Sequence, residues 1–365
     1  MIKHLLVARA LTQAGITDAH PEWLKPVEIT PSGNYTLSIR LGNQTPLAEI
    51  EKRSVQIAHA LRAFDVEIRQ LSPRRFELTV YKAKISSFPK YPVPDTCPLF
   101  PLPAKSVPLG IDANGYQVDL PLFDSAGGQV VLLAGNPGTG KSSTLSLAVY
   151  GLADTSAHIV WFDPKGAADA GRHRSRVEVV RDPIKAENTS AALQKLLDLC
   201  EERSKALGEQ LSLEMLKPIV VIVDEWAALG LTGDKKVRDE VPKQLRTLTA
   251  LARASKVSVI LSTQRPTTEN IDVTTRSLAS TRICFAVGDK FGSIAALGSQ
   301  GAEMLNSRKD RGVALVEMGD GLKEVKIFEI PSDLLEKMDQ TRGHSSTIDE
   351  IAAWDQVSFT EQRSR

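Results

Sequence analysis

An unbroken eight-residue run, Gly135-Asn136-Pro137-Gly138-Thr139-Gly140-Lys141-Ser142, fits the pattern G-x-x-x-x-G-K-[ST]. The apolar run Val130 to Ala134 ahead of it reads as a buried strand, and Thr144-Leu145-Ser146-Leu147-Ala148 behind it continues as a helix. Strand, glycine-rich loop and helix in this order are the setting in which such a run cradles phosphates. Glycines let successive backbone N–H groups turn onto an anion, and the helix N-terminus adds a favourable field. On this reading Gly135, Asn136, Pro137, Gly138, Thr139, Gly140, Lys141, Ser142 and Ser143 bind ATP. The Lys141 ammonium would reach the β- and γ-phosphates, and the Ser142 hydroxyl would ligate Mg²⁺. The competing reading, a glycine-rich turn without nucleotide, accounts for neither flank.

Two further stretches supply what hydrolysis would need. Ile219-Val220-Val221-Ile222-Val223 is an apolar strand ending in Asp224-Glu225. Asp224 at the strand end would hold the Mg²⁺ shell, and Glu225 would orient and deprotonate the attacking water. Without a P-loop upstream the same pair would pass for an N-cap with first-turn charge. Val257 to Leu261 ends in Ser262-Thr263-Gln264-Arg265-Pro266, where Gln264 can hydrogen-bond the γ-phosphate or the lytic water. A plain strand-end turn forced by Pro266 is the alternative there.

These loops must be carried by a sheet, and the chain around them predicts one. From residue 128 onward, strand-like runs at 129–134, 157–162, 177–180, 218–223, 257–262, 281–287, 312–317 and 324–329 alternate with helices at 141–152, 188–206, 235–254, 291–297 and 301–306. That alternation predicts an α/β fold with a central, mostly parallel sheet covered on both faces. Residues 1–85 predict a small α+β domain. It has a helix over Ile2–Ala14, strands at 27–30, 35–39, 66–68 and 76–81, and a helix over 47–64. Residues 86–103 carry Pro89, Pro92, Pro94, Pro98, Pro101 and Pro103, a density that excludes helix and sheet interior and marks a linker. Two short strands, Ser106–Asp112 and Tyr116–Leu120, open the α/β segment at 104–330. A polar tail at 331–365 has one short helix near 347–354.

Composition narrows the partners. Lys+Arg 45 against Asp+Glu 44 gives a net charge of +1, so contact with nucleic acid must come from local patches. Cys97, Cys200 and Cys284 are too widely spaced for a disulfide framework or a zinc site and read as reduced thiols of a cytoplasmic protein. No apolar run approaches the roughly 20 residues of a membrane span. Membrane attachment would therefore come through a partner protein.

The chemistry-bearing stretches, in order, resemble the FtsK/SpoIIIE family of double-stranded-DNA translocases over roughly residues 104–317. Val107-Pro108-Leu109-Gly110-Ile111-Asp112 is similar to the family's lead-in, and the P-loop follows. Next come Trp161-Phe162-Asp163-Pro164-Lys165, Val180-Arg181-Asp182-Pro183 and Glu201-Glu202-Arg203. Val223-Asp224-Glu225 matches the Walker B motif. Ala252-Arg253-Ala254, Ile260 to Pro266, Thr281-Arg282-Ile283 and Gly301-Ala302-Glu303-Met304-Leu305 complete the series.

The resemblance implies a RecA-like motor that closes into a homohexameric ring around duplex DNA, with ATP at each subunit interface. It implies a trans-acting arginine finger, for which Arg282 is the first choice and Arg253 and Arg265 the second. It also implies a small α/β domain ahead of the motor. The family's membrane spans and its DNA-reading winged helix have no counterpart in this sequence, so site recognition would need a partner. Its basic residues after T-R-I are reduced to Lys290, with Arg308, Lys309 and Arg311 further on. Arg172, His173, Arg174 and Arg176 form the densest basic patch. The expected function is an ATP-driven DNA pump of the short, mobile-element type that serves conjugation. A type VII secretion-like ATPase moving protein substrates, and a P-loop scaffold or partitioning switch, are the alternatives.

Overall fold

The computed structural model describes residues 2–23, 27–82, 89, 105–153, 155–166, 169–209, 212, 216–271, 273–319, 321–330 and 347–363. They form two compact units, Met1–Phe88 with Ile111–Gln117, and Pro89–Gly110 with Val118–Arg365. Apart from Pro89, the predicted linker lies outside the described residues.

The first unit lays helices over an antiparallel sheet whose spatial order is Ala19–Pro21, Tyr35–Leu41, Arg75–Tyr81, Asp65–Ser72. Strict alternation sends Tyr35, Leu37, Ile39 and Leu41 inward, registered against Phe76, Leu78 and Val80 of the next strand. The helix expected over 47–64 is two helices, Leu47–Lys52 and Ser54–Ala60, parted at Arg53. The Arg53 guanidinium donates to the Ala14 carbonyl (2.8 Å), past the end of the helix Ile2–Gln13, and pairs with Glu49. That tie offsets the backbone bonds lost at the break.

The second unit is built on a ten-stranded sheet. Its spatial order is Glu178–Val179, His158–Phe162, Ile219–Asp224, Val257–Thr263, Val130–Ala134, Thr281–Cys284, Val313–Glu317, Leu322–Ile327, Ser106–Asp112, Gln117–Pro121. The first six strands run parallel, and the pairings of Val313–Glu317 with its two neighbours are antiparallel. Every residue of the four central strands from His158–Phe162 to Val130–Ala134 is buried, the signature of a sheet covered on both faces. The helices Ala186–Gly208 and Lys235–Leu251 pack against each other over this core. The helix expected at 301–306 is a single 3-10 turn, Ala302–Met304, which follows Gly301 at φ 136°. No helix of the described residues is long and apolar enough to cross a membrane.

The C-terminal stretch, read as polar with a short helix, holds a helix from Ile348 to Arg363. A capping box starts it: Thr347 N–H donates to Glu350 Oε2 (2.7 Å), and Glu350 N–H donates to Thr347 Oγ1 (3.2 Å). Ile348 and Ile351 enter the core of the second unit, and Phe359 packs with Ala206 and Leu216. The polar anchor is Arg203, 0% exposed. Its guanidinium donates to Asp355 Oδ2 (2.6 Å), to the Ser255 carbonyl (2.9 Å) and to the Lys217 carbonyl (3.0 Å).

A buried charge left without its partner is costly, whereas an exposed pair contributes little. Asp355→Ala should therefore lower stability by about 3–5 kcal/mol. Lys195→Ala, which removes the exposed Lys195–Asp349 pair, should cost under about 1 kcal/mol. Urea denaturation midpoints measure both, and a loss below about 1 kcal/mol for Asp355→Ala would deny the anchor its role.

Candidate nucleotide site

Because the strands run parallel, their carboxyl ends gather at one edge of the sheet, where loops replace buried apolar side chains with polar ones. The P-loop leaves Val130–Ala134 and enters the helix Lys141–Gly151. Its tight glycines have a visible cause. A Cβ on Gly135 (φ 147°) would lie 2.6 Å from Phe285 Cβ, and one on Gly140 (φ 139°) 2.7 Å from the Phe285 ring. The fully buried Phe285 thus backs the loop, with its N–H on the Ala134 carbonyl (2.9 Å). On the other side, the Asn136 side chain donates to Ser307 Oγ (3.2 Å), and Gly312 N–H donates to the Thr139 carbonyl (2.7 Å).

Lys141 is buried within the loop and donates to the Gly135 and Asn136 carbonyls at 2.6 and 2.8 Å. Burial first, then the nearby Lys165 ammonium, pull its pKa down to about 8 against the opposing pull of Glu225 and Asp224. The Ser142 hydroxyl donates to Asp169 Oδ2 (2.8 Å). Ser143 follows in the first turn of the helix.

Asp224 and Glu225 do not stand directly beside the P-loop strand. Val257–Thr263 lies between them, so its tip, Thr263-Gln264, sits between the phosphate loop and the two carboxylates. Asp224 is 1% exposed and takes the Lys165 ammonium on both oxygens, at 3.1 and 2.9 Å. Burial raises its pKa, and Lys165 opposes the rise. Glu225 adopts a left-handed backbone (φ 67°), which turns its side chain toward the neighbouring tip. Its carboxylate accepts from Thr263 Oγ1 (3.0 Å) and from the Gln264 N–H (2.8 Å).

Other expected residues lie elsewhere. Arg282 sits inside its strand in register with Glu317 and pairs with that carboxylate. Arg253 pairs with Asp124 (3.2 Å), and Arg265 is exposed at the strand tip. Within the basic patch His173 is buried, stacked on Trp161 and bonded to Ser146 Oγ (3.0 Å). That member supports the helix behind the P-loop instead of facing solvent.

Sequence reasoning gave no role to Asp163, Lys165, Asp169 and Thr263, although each lies at a strand tip of this edge or in the loop beyond it. The available signal was position: charged or hydroxyl residues directly at the end of an apolar run in a P-loop sheet.

Residues 131–287 match the model of the ATPase family associated with various cellular activities (AAA). The DNA translocase FtsK of Lactiplantibacillus plantarum is 27% identical over 318 residues, which cover 79% of this chain and 38% of that protein. The FtsK of Bradyrhizobium diazoefficiens is 31% identical over 236 residues, 52% of this chain and 28% of that one. The chain is similar in sequence to these FtsK translocases, and its P-loop region matches the AAA model. It spans well under half the length of these curated relatives. Among solved structures, the pCW3 conjugation coupling protein TcpA, a monomer form with ATPγS, superposes on this chain with a TM-score of 0.62 at 22% identity. That match covers 93% of this chain and 99% of the other. The cytoplasmic domain of the Thermomonospora curvata type VII secretion ATPase EccC gives 0.55 at 20% identity over 68% and 32%. Both likenesses show the RecA-like fold.

Two glycines of the loop separate strain from crowding. Gly138→Ala meets open space at φ 75° and should cost about 1–2 kcal/mol. Gly140→Ala adds the collision with Phe285 and should weaken nucleotide binding well beyond Gly138→Ala. Titration with a fluorescent ATP analogue compares them, and equal affinities would remove Phe285 as the backstop.

Proposed function

We propose that this chain hydrolyses ATP with Mg²⁺ and couples turnover to movement along duplex DNA, as one subunit of a homohexameric ring serving DNA transfer such as conjugation. The observation that carries the reading is the Thr263-Gln264 tip seated between the P-loop and Glu225. A residue there touches the catalytic carboxylate and lies on the path to the γ-phosphate. Support for the DNA cargo comes from the relatives, which are DNA translocases by name, and from the likeness to a conjugation coupling protein.

The residue roles follow from the placement. Lys141 and the loop amides bind the phosphates. Ser142 and Asp224 would hold Mg²⁺, which suits a hydroxyl and a carboxylate because it prefers hard oxygen donors and keeps several waters. Bound there, the ion would neutralise charge on the phosphates. Glu225 takes a proton from the attacking water, and Gln264 orients that water or the γ-phosphate. Arg282 is the proposed trans finger, and to act it must exchange Glu317 for a neighbour's nucleotide. In a head-to-tail ring each interface is heterologous, so a finger on one face serves the site on the next.

Linear duplex DNA at low salt should raise ATP hydrolysis severalfold, and the stimulation should fade as salt displaces phosphate contacts. Hydrolysis that ignores duplex would leave an ATPase without this cargo and favour the secretion-type reading. Glu225→Gln should keep ATP binding and lose about 10²-fold or more in turnover.

For the finger, Arg282→Ala and Lys141→Ala proteins are each inactive on this reading. Mixing them should restore hydrolysis at interfaces that pair an intact Lys141 with an intact Arg282. Mixtures as dead as their parents would send the search to Arg253 or Arg265.

A further inference from the structure

One carboxylate folds the segment that reaches both proposed metal-binding residues. Asp163, 1% exposed, closes the strand His158–Phe162. It accepts from Lys165 N–H (2.9 Å) on one oxygen, and from Asp169 N–H and Ala170 N–H (both 3.1 Å) on the other. Bent in this way, the backbone delivers a cation and an anion in opposite senses. The Lys165 ammonium sits on both oxygens of Asp224, and the Asp169 carboxylate accepts the Ser142 hydroxyl proton. Each metal-binding oxygen therefore has an internal partner of complementary charge or polarity, and both partners come from one strand end.

We propose that Lys165 is a positioning residue that competes with the divalent cation for Asp224, so that loading of metal and nucleotide displaces the Lys165 ammonium from that carboxylate. The proposal rests on the ATP–Mg²⁺ reading above. An ammonium on both oxygens and a divalent ion beside the same buried carboxylate repel each other at short range, where solvent screens poorly. Asp163, which holds the Lys165 and Ala170 amides alike, links this exchange to the turn Ala170–His173, whose His173 is bonded to Ser146 of the P-loop helix.

The test is a Mg²⁺ titration of the binding of a fluorescent, non-hydrolysable ATP analogue, which requires no turnover. Lys165→Met should lower the Mg²⁺ concentration for half-maximal binding by about tenfold, the scale expected when one charge near a partly buried site is removed. Lys165→Arg, which keeps the charge, should stay close to wild type. Lys165→Gln serves where Lys165→Met does not fold, since it keeps a donor for Asp224 without the charge. An unchanged Mg²⁺ requirement in the uncharged variants would overturn the proposal. Equal weakening of analogue binding in EDTA and in Mg²⁺ would also overturn it, because Lys165 would then be a phosphate ligand. If the wild type binds no analogue under any condition, the nucleotide reading itself falls, a result distinct from either of these.

Discussion

A strand buried on both faces has no place for a charge, and this constraint arranges the second unit. His158–Phe162, Ile219–Val223, Val257–Leu261 and Val130–Ala134 stand in an apolar interior, where an unpaired ion would be strongly disfavoured. Charged and hydroxyl groups therefore collect at the strand ends and just beyond them. Parallel pairing brings those ends to a common edge. The P-loop, the two carboxylates, the Thr263-Gln264 tip and Asp163 are neighbours for that reason, although more than a hundred residues separate the P-loop from Thr263.

Electrostatics at the edge then settle locally. Two lysines and four acidic side chains crowd within a few residues of the tips, and each is held by an ion pair or by hydrogen bonds to nearby uncharged groups. Lys165 answers Asp224, Asp169 answers Ser142, and Thr263 with the Gln264 amide answers Glu225. Lys141 turns inward to carbonyls of its own loop. The left-handed backbone at Glu225 belongs to the same settlement, because it is the conformation that sends the carboxylate sideways to the next strand. Strain of this kind in a non-glycine residue persists where surrounding contacts fix it.

Much of this was legible in the chain because the governing signals are short-ranged. The P-loop pattern, the apolar runs and the 3.6-residue periodicity placed all ten strands of the large sheet and most helices within a few residues of their observed limits. The order of strands was not legible, and so neither was the intervening position of Val257–Thr263. Lateral order depends on where crossover helices pack, which local pattern does not encode. Lys165 and Asp224 lie 59 residues apart, so nothing in either neighbourhood announces their pairing. The break at Arg53 escaped because the apolar period runs through it, while the compensating bond goes to Ala14, just past the end of another helix. The C-terminal helix was underestimated for a similar reason: its anchor, Asp355, reads as surface until Arg203 is seen waiting inside the core.

Phe285 carries a consequence of its own. It is the residue after the strand Thr281–Cys284, and its ring and Cβ fill the space that side chains at Gly135 and Gly140 would need. Ala286 holds the Asn136 N–H as well. The segment that bears Arg282 and the cradle for the phosphates are therefore one mechanical piece with almost no slack. A shift of that strand would press on the loop directly, and a rearranged loop would in turn bear on the strand that holds the Arg282–Glu317 pair.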